Sequence, residues 1–80
     1  MFTRPPLLLI HGFPLDATLW EPQVRALSPL VEVIAPDLRG FGNDRRELPA
    51  IMPMRSHAAD LKEMLDERGI EKVILCGLSM

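Results

Sequence analysis

The sequence predicts an α/β fold in which three parallel strands alternate with two helices. Three short, mostly apolar runs have proline or glycine near their ends, and the first of them, Leu7–Ile10, has no polar alternation, which is typical of a strand covered on both faces. Helix-like segments separate these runs, and a strand–helix–strand order in one sheet makes the neighbouring strands parallel. The 80 residues are 48% hydrophobic and 25% charged, which is the composition of a globular chain.

The first half of the chain holds two strands and one helix. We predict a strand over Leu7–Ile10 and a helix over Trp20–Leu27, in which Pro22 is tolerated because it lies in the first turn. Trp20 is expected to anchor this helix on the sheet. A second strand is predicted over residues 31–35, where Pro36 stops it.

The second half begins with a polar segment, residues 43–55, which is interpreted as a surface loop. A helix is then predicted from an N-cap at Ser56, with its apolar face formed by alanine, leucine and methionine at helical spacing. Gly69 is expected to end this helix in a left-handed conformation. The third strand is predicted over Val73–Cys76.

Composition and charge exclude several classes of function. The net charge is −2, so no basic field is present to attract nucleic acid, and no apolar run approaches the length of a membrane span. We therefore expect neither a nucleic acid nor a membrane partner, and a cytoplasmic location. The single cysteine, Cys76, excludes an internal disulfide, and its apolar surroundings predict a buried structural thiol, with a nucleophilic thiol as the alternative.

No cofactor or metal is expected from the motifs. Gly40 and Gly42 begin a spacing that also occurs in dinucleotide-binding loops, but Arg45 holds the place of the third glycine and no helix starts there. No histidine pair or Cys/His set has the spacing of metal ligands. His57 is predicted to be an exposed surface residue, and an Asp37–Arg39 pair is predicted to support the tight turn between Asp37 and Gly42.

The last four residues, Gly77 to Met80, carry the main functional hypothesis. A Gly-x-Ser sequence directly after a buried strand is the start of a nucleophile elbow, a tight turn that lifts a serine above a parallel sheet. Ser79 is therefore the candidate nucleophile, although serine is weak in that role unless a base takes its proton. The competing interpretation is an ordinary turn, because Gly-x-Ser is a common tripeptide.

The loop after the first strand supports the catalytic interpretation. Acyl transfer needs donors for an oxyanion, one from the residue after the nucleophile and one from a loop after an earlier strand. Met80 and Phe13 stand at those two places, and each would act through its backbone N–H. His11 is expected to support this loop rather than to act as a base, and the alternative is that His11 and Gly12 merely close a turn.

These residues together resemble the α/β-hydrolase family over nearly the whole chain. The resemblance rests on three motifs in the family's order: the loop His11–Pro14, the turn Asp37–Gly42 and the elbow Gly77–Met80. It implies a partial α/β-hydrolase fold with the first predicted strand between the other two. It also implies that Ser79 is the nucleophile and that the N–H groups of Phe13 and Met80 form the oxyanion hole.

The resemblance implies a serine hydrolase that acts on a small-molecule acyl substrate such as an ester, lactone or thioester. Family members with halide or epoxide chemistry usually carry aspartate at the elbow, where this chain has Ser79. The family's acid and histidine follow the serine in chain order, so residues 1–80 are expected to be the N-terminal part of one hydrolase domain, as a fragment or a truncated reading frame. Alone they should be inactive.

Two other hypotheses stay open from the residues. The first is a noncatalytic family member that binds a small ligand or a protein partner in the same crevice. The second is that the 80 residues have no function of their own and aggregate through unpaired sheet edges. The sequence makes no prediction of oligomeric state.

Overall fold

The alternation of strands and helices is confirmed by a computed structural model, which describes residues 4–49 and 51–78. The elements, in chain order, are β1 (Leu7–Ile10), a 3-10 helix (Ala17–Trp20), α1 (Glu21–Leu27), β2 (Val33–Ile34), α2 (Met54–Glu67) and β3 (Ile74–Gly77). The bounds of β1 are those predicted, and Pro22 lies in the first turn of α1.

The three strands form one parallel sheet in the order β2-β1-β3, so the first strand lies in the middle as expected. Leu8 of β1 pairs with Ile34 of β2 on one side and with Leu75 of β3 on the other. The pairing with β3 continues to Ile10 and Gly77, so these two strands end together. Parallel pairing requires long connections, which the helices supply.

Helix α2 begins earlier than predicted. It starts at Met54, and its N-cap position is held by Pro53, so the prediction that Ser56 caps the helix was wrong. Proline suits the start of a helix because its fixed φ fits there and its missing N–H leaves no helical donor unpaired. The helix is followed by Gly69 with φ of 69°, which confirms the predicted left-handed end.

The described core lies around β1 and the connections at its carboxyl end. Its buried side chains are Leu8, Leu9, His11, Trp20, Ile34, Leu38 and His57. Trp20 is thus buried, as predicted. No helix among the described residues is long and apolar enough to cross a bilayer.

The prediction that Cys76 is a buried thiol was wrong, because the whole of β3 is exposed. Ile74 and Leu75 of the same strand keep 50% and 65% of their accessible surface. The strand has β1 as its one partner in the described sheet, and its two faces stay uncovered there. An apolar run predicts a strand, but the burial of that strand depends on other elements that pack against it.

Candidate active site

The site is built where β1 and β3 end side by side. Ile10 pairs with Gly77, and the backbone N–H of Leu78 donates to the Ile10 carbonyl oxygen at 3.1 Å. The two segments that follow these strands therefore leave the sheet from adjacent points. Of the three predicted site residues, Phe13 is described, whereas Ser79 and Met80 lie outside the described residues.

His11 fixes the loop after β1 from inside the protein. Its side chain is completely buried, and its Nε2 accepts a hydrogen bond from the Leu38 backbone N–H at 2.9 Å. Its Nδ1 lies 3.1 Å from the Gly12 carbonyl oxygen, so the proton belongs on Nδ1 and the ring is a neutral tautomer. With both nitrogens engaged, His11 supports the loop, as predicted, and has no free lone pair for a general base.

Phe13 lies at the tip of a tight turn that β1 feeds directly. The Leu15 N–H closes the turn by donating to the Gly12 carbonyl oxygen at 2.8 Å, and the Phe13–Pro14 peptide bond is cis. The Phe13 ring is 62% exposed and meets Phe41 edge to face, with the ring centroids 5.7 Å apart. The turn is therefore held by buried hydrogen bonds on one side and an aromatic contact on the other.

Asp37 joins the loop after β1 to the turn after β2. Its Oδ1 accepts from the Ala17 N–H at 2.7 Å, and its Oδ2 accepts from the Asn43 N–H at 2.8 Å. Gly42 adopts φ of 57°, and a Cβ there would lie 2.5 Å from the Asp37 carboxylate. The predicted scaffold role of Asp37 is confirmed, and the carboxylate needs glycine at position 42 to approach the backbone this closely.

Arg39 does not pair with Asp37 but clamps the turn onto α2. Its Nε and Nη2 donate to the two carboxylate oxygens of Asp60 at 2.9 and 2.7 Å, the fork geometry that guanidinium groups favour. Farther along, hydrogen bonds from Arg46 lower the pKa of Asp44 from its usual value to about 2. Arg46 also lies 3.7 Å from the Asp60 carboxylate, so two arginines of the segment after β2, Arg39 and Arg46, tie it to α2.

The prediction that His57 is a surface residue was wrong. Its side chain is 94% buried because α2 begins at Met54, which leaves His57 inside the first turns and turned toward Phe41, with the ring centroids 6.5 Å apart. The signal was present in the sequence, since His57 precedes Leu61 by four residues and shares its helical face. Its Nδ1 has no hydrogen-bond partner among the described residues.

Within residues 4–49 and 51–78, no group of three or more histidine, cysteine or acidic side chains could hold a metal ion. The arrangement instead offers backbone and aromatic groups near the ends of two parallel strands. In open parallel sheets, ligands enter at the carboxyl ends of the strands where the winding direction reverses, and the order β2-β1-β3 puts that point beside β1.

Comparison with known proteins assigns the family. A model of the alpha/beta hydrolase fold matches residues 5–80. The chain belongs to the α/β-hydrolase family. An esterase of known structure from Thermogutta terrifontis superposes on it with a TM-score of 0.88 and 44% sequence identity, over 96% of this chain and 28% of the esterase.

Two curated relatives carry a different activity in their names. "Epoxide hydrolase 3" from Siraitia grosvenorii is 44% identical over 94% of this chain and 24% of its own length. "Soluble epoxide hydrolase" from Corynebacterium sp. is 36% identical over 90% of this chain and 25% of its own length. The chain spans about a quarter of the length of these relatives, and the esterase and both epoxide hydrolases are hydrolases by name.

Proposed function

We propose that residues 1–80 are the N-terminal part of a single serine hydrolase domain, with Ser79 as the nucleophile toward a small-molecule acyl substrate. The observation that carries the proposal is the common end of β1 and β3, where the Leu78 N–H donates to the Ile10 carbonyl oxygen. This bond ties the residue before Ser79 to the strand that leads into the loop of Phe13. A hydroxyl and two amide donors near one another are what acyl transfer requires.

The proposed reaction begins when Ser79 Oγ attacks the acyl carbonyl carbon and its proton passes to a base. The carbonyl oxygen becomes an oxyanion that accepts hydrogen bonds from the backbone N–H groups of Phe13 and Met80. The leaving group takes the proton as the acyl-enzyme forms, and water then releases the acid. By the family's order of residues, the base is a histidine that would follow Ser79 in the chain, since both nitrogens of His11 are engaged.

The serine favours acyl substrates over epoxides despite the names of two relatives. Opening an epoxide through a covalent intermediate uses a carboxylate nucleophile, and family members with that chemistry usually carry aspartate at the elbow. This chain has Ser79 there, and the similar esterase supports the same choice. We accordingly expect p-nitrophenyl acetate to be hydrolysed and styrene oxide to be left intact.

A noncatalytic binding protein is the second candidate, because fold alone does not fix activity. The family relation would be the same, and the crevice beside β1 would then hold a ligand without turning it over. Residues after position 80 in the encoded protein decide between the two proposals. An acidic residue and a histidine in the family's order favour the enzyme, and their absence favours the binder.

A fluorophosphonate probe tests the nucleophile directly. In a protein of the relatives' length, we expect the probe to label the wild type and to leave Ser79→Ala unlabelled, because the phosphonyl adduct forms on the Ser79 oxygen. Ser28→Ala is the matched control: Ser28 lies at the end of α1, where its hydroxyl donates to the Val24 carbonyl oxygen, so labelling should persist. Absence of label on the wild type, or label on Ser79→Ala, would contradict the proposal.

The 80 residues alone should react at least a thousandfold more slowly than the longer protein, since a triad serine without its base loses most of its reactivity. Equal labelling of both forms would mean that a base for Ser79 lies within residues 1–80. We also carry a cytoplasmic location as part of this proposal, which fractionation of cells that express the tagged protein can test.

A further inference from the structure

The described structure holds an apolar pocket beside the proposed oxyanion loop. Its volume is about 180 Å³, and it is lined by two phenylalanines, three other apolar side chains and one histidine: Phe13, Phe41, Leu48, Met52, Met54 and His57. The pocket lies between the turn after β1, the segment after β2 and the start of α2. Phe13 and Phe41 come from two of the motifs that predicted the function, whereas the other four lining residues belong to none of those motifs.

The pocket shares a wall with the proposed site. Phe13 lines the pocket and also supplies a backbone N–H to the proposed oxyanion hole, so the two sites meet at this residue. The ring stays 62% exposed, and Leu48 and Met54 at the rim keep 45% and 56% of their surface. Exposed apolar side chains that cluster in this way mark a place that a ligand, a partner or another part of the protein covers.

A second feature of the pocket is a buried polar atom that is available to a ligand. His57 is 94% buried, and its Nδ1 has no hydrogen-bond partner among the described residues. A buried polar atom without a partner costs about 1–3 kcal/mol, and a ligand that bonds to it recovers part of that cost. The described residues hold one other such atom, Trp20 Nε1, which does not line the pocket.

We propose that this pocket is a specificity subsite that binds a compact apolar arm of the substrate, of about six to eight carbon atoms and preferably aromatic. The proposal rests on the proposed acyl hydrolase function. An apolar cavity of about 150 Å³ accommodates benzene, so this pocket, which is open at one side, has room for a phenyl or benzyl group. Phe13 and Phe41 offer ring edges and faces, while Met52 and Met54 adapt to the shape of the arm.

The arm can lie on the acyl side or on the alcohol side of the ester, and two substrate pairs distinguish these sources. Phenylacetate against acetate, both as p-nitrophenyl esters, varies the acyl arm. Benzyl acetate against methyl acetate varies the alcohol arm. In a protein of the relatives' length, we expect kcat/KM to favour the aromatic arm by at least about tenfold in one of the two pairs. No preference in either pair would overturn the proposal.

Filling the pocket should remove that preference. Met54→Trp is expected to reduce the kcat/KM ratio of the aromatic to the small substrate by about tenfold, because the indole occupies the space of the arm. Ile51→Trp is the matched control: Ile51 is 83% exposed and does not line the pocket, so the ratio should stay within about twofold. An unchanged ratio in Met54→Trp would mean that another part of the protein fills the pocket, and the proposal would be wrong.

A binding measurement separates this proposal from the proposed function. Neutral 4-fluorobenzyl alcohol should shift the His57 ring proton resonances of the wild type and not those of Met54→Trp. If the fluorophosphonate fails to label Ser79 but this shift is observed, the hydrolase function and the role of the pocket in substrate specificity both fail, and the pocket remains a binding site for a compact apolar ligand. If Ser79 is labelled but the alcohol leaves the His57 resonances unmoved, the function stands and the subsite is overturned.

Discussion

Strands β1 and β3 are neighbours with similar sequences and opposite surroundings. Leu8 of β1 and Leu75 of β3 are paired in register, yet 1% of Leu8 and 65% of Leu75 is accessible. Strand β1 has a partner on each side and connections packed over its carboxyl end, whereas β3 has one partner and no cover within the described chain. An apolar run therefore specifies a strand, while its burial depends on the elements that pack against it.

The difference in burial between β1 and β3 also separates the two halves of the proposed site. The half that follows β1 is fixed by His11, by the Asp37 carboxylate and by the clamp between Arg39 and Asp60. The half that follows β3 rests on a strand whose side chains face solvent. We infer that the loop after β1, which carries the proposed oxyanion donor Phe13, is fixed by contacts within the described residues, whereas β3 has no comparable contacts there.

The largest expected effect tests the contrast itself. Leu8→Ala should lower the free energy of unfolding by about 2–5 kcal/mol, because it leaves a cavity in the core. Leu75→Ala, at the paired position, should cost no more than about 0.5 kcal/mol, because it removes surface that is already exposed. Proteolysis of the 80-residue chain across a urea series measures both values. Similar costs would mean that β3 is covered, for example by a second copy of the chain.

The next effect compares two glycines with positive φ: Gly42, in the turn that supports the loop after β1, and Gly69, between α2 and the exposed strand β3. Gly42→Ala should cost about 3 kcal/mol, because alanine strains the backbone and its Cβ meets the Asp37 carboxylate at 2.5 Å. Gly69→Ala, before the exposed strand, has φ of 69° but no atom within 4 Å of a Cβ, so it should cost about 1 kcal/mol. The same urea series gives both, and equal costs would contradict the close fit around Asp37.

The smallest effect compares the two buried histidines. His11→Leu should cost about 2 kcal/mol, because the buried Leu38 N–H loses its acceptor. His57→Leu should raise the free energy of unfolding by about 1 kcal/mol, since it removes a buried polar atom that has no described partner. Thermal melts of the two variants provide the comparison. A lower free energy of unfolding for His57→Leu than for the wild type would show that the His57 imidazole makes a stabilising contact.

Much of the fold could be predicted because local rules decide it. The bounds of β1, the place of Pro22 and the left-handed Gly69 follow from proline and glycine geometry and from apolar patterning. The order of the strands came from the resemblance to the family. The exposure of Cys76 could not be predicted, because the apolar sequence of Val73–Cys76 does not show which elements pack against β3.

The candidate site was predictable in its motifs but not in its connections. Asp37 was expected to support a turn, yet its bond to Ala17 crosses twenty residues of sequence, and no local pattern announces such a pair. The ion pair between Arg39 and Asp60 could not be predicted for the same reason, because the two residues are 21 positions apart in the sequence. His57 could have been assigned to the buried face by its spacing from Leu61, had the helix been extended to Met54.

The central claim is that two backbone amides meet beside the Ser79 hydroxyl, and a crystal structure of the phosphonylated protein tests it most directly. The account predicts phosphorus bonded to Ser79 Oγ and the phosphonyl oxygen about 2.7–3.1 Å from the backbone nitrogens of both Phe13 and Met80. A phosphonyl oxygen directed away from the Phe13 turn, or an adduct on another residue, would contradict it.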